Sequence, residues 1–272
     1  MSAPRVELWR APTDNDRGAA MGSYDADDPT TVPWRGTPAP PVADRWRRQG
    51  LDRLTHRTVA VERTADRLRV QRRVSAAQSR ASIDVEETWT AERAADGVVE
   101  AVLRVVMTPD DHWDDVWPRI GVHLALPTDV DGAGWFGLGP HDSYPDVRSS
   151  VVVGRHRAGI DDLTVPYAWP QESGHRSEVR ELVLERGGRP WAGLALGRDA
   201  RGRLPGFTLA RHSAHELSAA AHPHELPAPE RHHLYVDAAQ HGLGSRACGP
   251  DVWPTAMLRP QARTLELRWR AL

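Results

Sequence analysis

The stretch RTVAVERTADRLRVQRRV, residues 57–74, decides the fold class of this chain. Apolar and polar residues alternate along it with a period of two, and Thr64-Ala65-Asp66 interrupts the alternation near its middle. Such alternation is typical of strands with one buried face, and a short polar break between two runs is typical of a hairpin turn. The stretch therefore predicts two antiparallel strands.

The same pattern extends outward from this hairpin along most of the chain. Residues 82–93 and 97–109 predict a second pair of strands that turns at Ala95-Asp96-Gly97, and residues 180–196 predict a hairpin across Gly187-Gly188. Only Asp44–Gln49 and Ser213–Ala221 favour helix. Many short strands with frequent turns predict an all-β antiparallel sandwich. We interpret residues 1–272 as one domain, with residues 1–50 as an irregular N-terminal segment. Further strands are predicted at residues 120–127, 131–139, 206–215, 232–240 and 264–272.

The composition excludes several classes of partner. A net charge of −2 provides no cationic surface for nucleic acid, and no apolar run is long enough to cross a membrane. The first residues contain no apolar stretch of signal-peptide type, so we expect a cytoplasmic protein. The single cysteine, Cys248, excludes an intramolecular disulfide.

Two polar regions resemble metal-binding sequences. Histidines crowd the region from His212 to His241, but no HExxH pattern occurs there, and we interpret them as surface residues. The run Asp110–Asp115 lacks the glycine and the terminal glutamate of an EF-hand loop, which favours a solvated acidic loop. The glycine-rich segments 137–142 and 241–245 introduce no helix, and either ordinary turns or loops close to a ligand would account for them.

Five blocks occur in order across nearly the whole chain and narrow the interpretation. They are WRAPTDND (9–16), PRIGVHLALP (118–127), GLGPHDSYPD (137–146), VPYAWPQESGHRSEVREL (165–182) and VDAAQHGLGSRACGP (236–250). This series resembles the C-terminal, small-chain domain of family 2 β-galactosidases. The first block is long and chemically unusual, which makes the resemblance specific.

The resemblance implies a large antiparallel super-sandwich similar to that of galactose mutarotase. It also implies that the catalytic acid and nucleophile lie on a separate TIM-barrel domain, so the isolated chain should not hydrolyse galactosides. The implied partners are that TIM-barrel part and, in the assembled enzyme, a galactoside substrate. No cofactor is expected in this chain, because magnesium and sodium, if the enzyme needs them, would be held mainly by the barrel.

The resemblance places two loops of the domain at the mouth of the barrel pocket. Gly139 and Asp142 lie on the first loop, where Asp142-Ser143 replaces the usual Glu-Asn. Cys248 aligns on the second loop with a position where relatives often carry Trp, and Trp253 is the alternative residue for that role. A thiol in place of an indole would reduce the stacking surface offered to the sugar or its leaving group.

The remaining matched residues predict a scaffold or an inter-domain joint. Arg10 could pair with Asp14 or Asp16, and these carboxylates could accept hydrogen bonds from backbone amides in a tight loop. Glu172, Arg176 and Arg180 could form one charge network. Trp9 and Asn15 belong to the same first block as Arg10.

A domain that docks on others should expose an apolar face. We expect Leu8, Trp9 and Trp135 to form that face, and hence self-association or tight binding to the barrel part.

Two rival functions remain at this stage. An aldose mutarotase would need a histidine acid and a carboxylate base in one cleft, for which His156, His175 or His241 with Glu172 are the candidates. A lectin-like module would bind galactosides without any partner.

Overall fold

The computed structural model describes residues 2–18, 40–77 and 79–272 of the chain. The irregular segment predicted over residues 1–50 therefore lies partly outside the described residues. Within them, the chain forms strands, three α-helices and three single 3₁₀ turns. The 3₁₀ turns are at Leu51–Arg53, Pro223–Glu225 and Pro254–Ala256. The strands are β1 (Arg5–Glu7), β2 (Leu54–Arg63), β3 (Arg67–Ala76), β4 (Ser82–Arg93), β5 (Val99–Pro109), β6 (Arg119–Leu126), β7 (Val130–Gly139), β8 (Val152–Gly159), β9 (Glu181–Arg186), β10 (Arg189–Leu196), β11 (Gly206–Ala210), β12 (His232–Gln240) and β13 (Arg263–Ala271). The helices are α1 (Asp14–Arg17), α2 (Val42–Gln49) and α3 (Ala214–Ala219).

The strands form two antiparallel sheets. The larger has the order β2-β3-β4-β5-β13-β10-β9-β7-β8, and the smaller has the order β1-β6-β12-β11. One hydrophobic core contains residues of both sheets, with Leu103 and Leu265 from the larger and Val122 and Leu234 from the smaller. The predicted all-β antiparallel sandwich is confirmed.

The hairpins predicted from the alternating runs are confirmed. β2 pairs with β3, β4 with β5, and β9 with β10, each across its predicted turn. Gly187 and Gly188 have φ angles of 55° and 71°, a left-handed conformation that glycine adopts without steric cost. The turn chemistry therefore fixes where each hairpin reverses.

The predicted helices are also confirmed, with different bounds. α2 begins at Val42 rather than Asp44 and ends at Gln49, and it is followed by Gly50, whose φ of 75° is typical of a helix C-cap. α3 begins after Ser213, whose hydroxyl accepts from the Glu216 amide while the Glu216 carboxylate accepts from the Ser213 amide. The longest helix of the described residues has eight residues, and none could span a lipid bilayer.

The prediction of an exposed apolar face is wrong. Leu8 is 0% exposed, Trp9 1% and Trp135 3%. The Trp9 indole packs edge-on against Trp46, and its Nε1 donates to the Ser218 hydroxyl at 3.0 Å. The Trp135 Nε1 donates to the Leu138 carbonyl at 2.9 Å. Each indole thus finds both its apolar neighbours and its acceptor inside this chain.

Candidate functional site

The first matched block folds into a tight turn around one buried ion pair. A guanidinium nitrogen of Arg10 lies 2.9 Å from the Asp16 carboxylate, and the two side chains are 0% and 1% exposed. Asp16 Oδ2 also accepts from the amide and the hydroxyl of Thr13, which is the N-cap of α1. Of the two pairings predicted for Arg10, the structure forms the one with Asp16.

This block is bonded to the last matched loop, residues 241–250. Arg10 Nη1 donates to the His241 carbonyl at 2.7 Å, and its Nη2 donates to the Gly242 carbonyl at 3.1 Å. The Asn15 amide group donates to the Gly244 carbonyl at 2.8 Å and accepts from the Ala247 amide at 3.1 Å. These four bonds hold the second loop through its backbone, and the buried Arg246 side chain adds bonds to Asp251, Gly18 and Pro40.

The GLGPHDSYPD block is bonded to the same loop through one carboxylate. Asp146 accepts from the amides of Leu243 and Gly244 at 2.9 and 2.8 Å. A Cβ on Gly242 would lie 2.5 Å from Asp146 Oδ2, so only glycine allows this approach. The two loops that the resemblance assigns to a substrate pocket are thus fixed to each other.

The predicted pocket residues of the first loop have different environments. Gly139 is buried at the end of β7, where a Cβ would lie 2.7 Å from the His156 ring. The carboxylate of Asp142 is half-buried and accepts from the Gly174 amide at 3.3 Å. Gly139 therefore lies on the buried side of the loop, and Asp142 lies nearer the protein surface.

The segment 171–177 connects these blocks. The Gln171 side-chain carbonyl accepts from the Asp14 amide at 2.9 Å, and its amide group donates to the Asp14 carboxylate at 3.1 Å. The Glu172 amide donates to the Ala11 carbonyl. We call residues 8–16, 137–146, 171–177 and 241–250 together the motif cluster.

The charge network predicted for Glu172, Arg176 and Arg180 is wrong. The Arg176 guanidinium donates to three backbone carbonyls, and Arg180 donates to the Glu178 carbonyl. Carbonyls of the surrounding loops accept from Arg180 and from both terminal nitrogens of Arg176, whereas the Arg176 Nε has no acceptor among the described residues. The carbonyls bonded to Arg176 are those of Leu163, Gly174 and Pro140.

Glu172 belongs to a buried charge cluster centred on Arg119 of β6. Arg119 lies 3.0 Å from the Asp237 carboxylate of β12 and 3.4 Å from that of Glu172, and it is 0% exposed. His175 Nδ1 lies 3.4 Å from Asp237, and the Gln240 amide group donates to both carboxylates. Sequence reasoning missed Asp237 and Gln240, although both lie within the last matched block, and it named His175 only as a candidate acid for the mutarotase alternative.

Electrostatics keeps Asp237 and Arg119 charged. Burial alone would raise the pKa of Asp237, but Arg119 and the hydrogen bond from His175 lower it below its ordinary value. Burial would likewise lower the pKa of Arg119, whereas Asp237 and Glu172 raise it. Burial, and then Glu172, raise the pKa of Tyr144 well above its ordinary value. One cation therefore compensates two carboxylates at the centre of the site.

The surface of the motif cluster carries the predicted residue of the second loop. Cys248 is exposed and Trp253 is 53% exposed, so neither fills the core. Nearby, the Arg17 guanidinium lies 4.2 Å from the ring centre of Trp169, itself 46% exposed. The Trp169 indole, in contact with an arginine of α1, is therefore partly accessible to solvent.

The histidine-rich region is only partly on the surface. His232 and His241 are each 1% exposed, which contradicts the surface interpretation for these two. His241 Nδ1 accepts from the Leu258 amide at 2.9 Å, and burial, followed by Arg10, lowers its pKa well below the ordinary value. Within the described part of the chain, one exposed group has metal-ligand spacing, namely His222, His224 and Glu225.

The acidic run at residues 110–115 is used for structure. Asp110 accepts from the amide and hydroxyl of Ser82 at 2.9 and 2.6 Å. Asp115 forms an ion pair with Arg45 of α2. The run was predicted to be a solvated acidic loop, and the structure differs in that Asp110 and Asp115 are partly buried and bonded within the chain.

The residues of the mutarotase alternative do not meet in one cleft. Glu172 lines an apolar cleft of about 280 Å³ beside residues 164–173, whereas His175 lines a polar cleft of about 470 Å³ on the other side. His241 is buried against Leu258, and His156 lies on β8 against Trp135. An acid and a base in separate clefts cannot act on one sugar.

Comparison with known proteins identifies the family of this chain. The family model of the beta galactosidase small chain matches residues 1–269. The β-galactosidase of Arthrobacter sp. (strain B7) is 53% identical over 271 residues, which are 100% of this chain and 26% of that protein. The β-galactosidase of Vibrio cholerae serotype O1 is 31% identical over 250 residues, which are 92% of this chain and 21% of that protein. The chain thus spans about a quarter of the length of these relatives.

Among solved structures, the GalM/aldose epimerase homologue from C. elegans is similar over 78% of this chain and 68% of that one. The TM-score is 0.38 and the sequence identity is 10%, so this likeness supports no argument about shared topology.

Proposed function

Because the chain belongs to the β-galactosidase small-chain family, we propose that it is the C-terminal part or the small subunit of a β-galactosidase. In this proposal it completes the aglycone side of the substrate site, while the TIM-barrel part supplies the catalytic carboxylates. The observation that carries the proposal is the junction of the Gly137–Asp146 and His241–Pro250 loops through Asp146. That junction fixes two loops that are distant in sequence against each other, and in this proposal they form one edge of the substrate site.

The state of the buried carboxylates supports a non-catalytic role. A retaining glycosidase needs two carboxyl groups roughly 5–5.5 Å apart across an open substrate site. In the motif cluster and beneath it, Asp16 is paired with Arg10, and Asp237 and Glu172 are paired with Arg119. Asp146 accepts from two backbone amides. None of these four carboxylates is free to attack or protonate a glycoside.

The exposed aromatic residues near the motif cluster support docking against another part of the enzyme. Tyr167, Trp169 and Trp253 are 43%, 46% and 53% exposed, and exposed indoles are common at protein interfaces. In this proposal, these three residues, and not Trp9, form the docking face. In this proposal the barrel part covers them and brings its carboxylates to the edge formed by the two loops.

Complementation tests this proposal. The 272-residue chain alone should not hydrolyse a nitrophenyl galactoside, and it should restore hydrolysis when mixed with the separately produced barrel-containing part. Asp146→Asn should lower the restored activity because it weakens the acceptor for two amides, whereas Asp129→Asn, in an exposed pair with Arg186, serves as the matched control. Robust turnover by the chain alone, abolished by a single Glu or Asp substitution, would overturn the proposal.

A further inference from the structure

The polar cleft of about 470 Å³ contains a buried arginine with an unsatisfied donor. Four arginines line it, and three of them are satisfied within the chain. Arg148 pairs with Glu178, Arg203 pairs with Asp199, and Arg198 donates to the Gly202 carbonyl. The fourth, Arg263 at the start of β13, is 7% exposed, and its Nε has no acceptor among the described residues. We call this space the arginine cleft.

A second polar atom without a partner lines the same cleft. Gln240 is 5% exposed, and its Nε2 donates to Glu172 and Asp237 at 3.4 and 3.1 Å. These two carboxylates fix the amide orientation, because a flipped amide would direct its oxygen at both of them. The Oε1 atom of Gln240 is thereby left as a buried acceptor without a donor.

The unsatisfied donor and the incomplete compensation of its charge cost stability in the free chain. A buried donor without an acceptor is unfavourable. Burial, and then the neighbouring Arg203, lower the pKa of Arg263 to about 10, and Asp199, which is paired with Arg203, opposes this shift only in part, so the group still carries its charge at neutral pH. An oxyanion bound to Arg263 would remove this cost.

We propose that the arginine cleft binds a small hydroxylated anion, whose phosphate or carboxylate pairs with Arg263 and whose hydroxyl donates to Gln240 Oε1. A guanidinium presents its donors in a planar fork that matches both oxyanions. Ligand pockets commonly enclose about 300–1,000 Å³, so a cleft of about 470 Å³ suits a monosaccharide derivative. The proposal does not depend on the role of the chain in galactoside hydrolysis.

Calorimetric titration of the 272-residue chain tests the proposal with four probes: glucose 6-phosphate, glucuronate, inorganic phosphate and glucose. Glucose 6-phosphate or glucuronate should bind about tenfold or more tightly than inorganic phosphate or glucose, because only they offer both groups. The preferred one of the two identifies the oxyanion.

Arg263→Met should abolish binding and leave the melting temperature unchanged or higher, because it removes an incompletely compensated charge. Arg270→Met, on the same strand but in an exposed pair with Asp96, is the matched control and should bind as the wild type does.

Nuclear magnetic resonance provides a readout that does not depend on a variant. The Nε–H signal of Arg263 in the wild-type chain should shift when the preferred anion is added. The proposal is overturned if no anionic probe binds, if Arg263→Met binds as tightly as the wild type, or if that signal does not move at saturation.

Discussion

Two regions of this molecule use the same ion-pair chemistry in opposite surroundings. On the solvent-facing, outer side of the larger sheet, Arg69 bridges Glu62 and Glu86, and Arg268 pairs with Glu92, with side chains 31% to 56% exposed. In the buried charge cluster, Arg119 bridges two carboxylates at 0% exposure.

The difference shows that a count of ion pairs says little about stability. Water screens the outer pairs and solvates either partner after the other is lost. The side chains of the inner cluster are at most 5% exposed, so the loss of one partner leaves a buried charge without compensation. The matched residues of the family lie around the second region, where the geometry is hardest to change.

The largest expected effect comes from removing the central cation. Arg119→Met should destabilise the chain by roughly 3–5 kcal/mol, because Asp237 and Glu172 would remain buried without their counterion. Arg69→Met, the matched change in the outer sheet, should cost about 0–1 kcal/mol. Urea denaturation of both variants measures the two values, and equal losses would break the comparison.

Acid should destabilise the inner region over a pH range where the outer pairs are intact. Burial, followed by His233 and Arg119, lowers the pKa of His123 to about 3, and burial lowers that of His241 as well. Both histidines stay neutral in the fold, while the unfolded chain binds protons below about pH 6.5. Their contribution to stability is therefore fully present above that pH and is lost as the pH falls towards the folded pKa.

Between pH 7.5 and pH 5, His123 alone should cost about 2 kcal/mol of unfolding free energy. Urea midpoints of the wild type and of His123→Phe at the two pH values test this, and the variant should lose less stability on acidification. An identical pH dependence in both proteins would contradict the assignment.

The smallest expected effect on stability falls at the surface of the motif cluster. Because Cys248 is exposed, Cys248→Trp should change the free energy of unfolding by less than about 0.5 kcal/mol. In the assembled enzyme the added indole should strengthen binding of an aryl galactoside inhibitor by about 0.5–1.5 kcal/mol.

Trp253→Ala provides the comparison for that variant. A loss of inhibitor affinity with Trp253→Ala and no gain with Cys248→Trp would assign the stacking role to Trp253. A large fall in melting temperature with Cys248→Trp would instead mean that the position does not tolerate a side chain of that size.

The sequence predicted the strands well because their signals are local. Period-two alternation, the Gly187-Gly188 turn and the Ser213 cap each depend on neighbouring residues, and the structure contains all three elements. The ordered blocks predicted which loops belong together, since a family resemblance carries information about distant contacts.

The sequence could not predict the pairing of side chains across long separations. Arg119 meets Asp237 over 118 positions, and nothing in either neighbourhood specifies the other. Glu172 and Arg176 are close in sequence, yet one points to Arg119 and the other to loop carbonyls. Trp9 and Trp135 were assigned to the surface because an indole in a short or irregular segment gives no periodic signal for burial.

The bonds between Arg10 and the loop at His241 also determine the order of events during folding. Residues 231 and 232 positions apart must meet before the Arg10 guanidinium finds its two carbonyl acceptors. Closing a loop of that length is entropically unfavourable, and topologies rich in distant contacts fold slowly. The hairpins β2–β3 and β4–β5 can form as soon as their own residues are available, whereas Arg10 must wait until residues 241 and 242 have been made. The most N-terminal of the five matched blocks is therefore among the last of them to reach its native contacts.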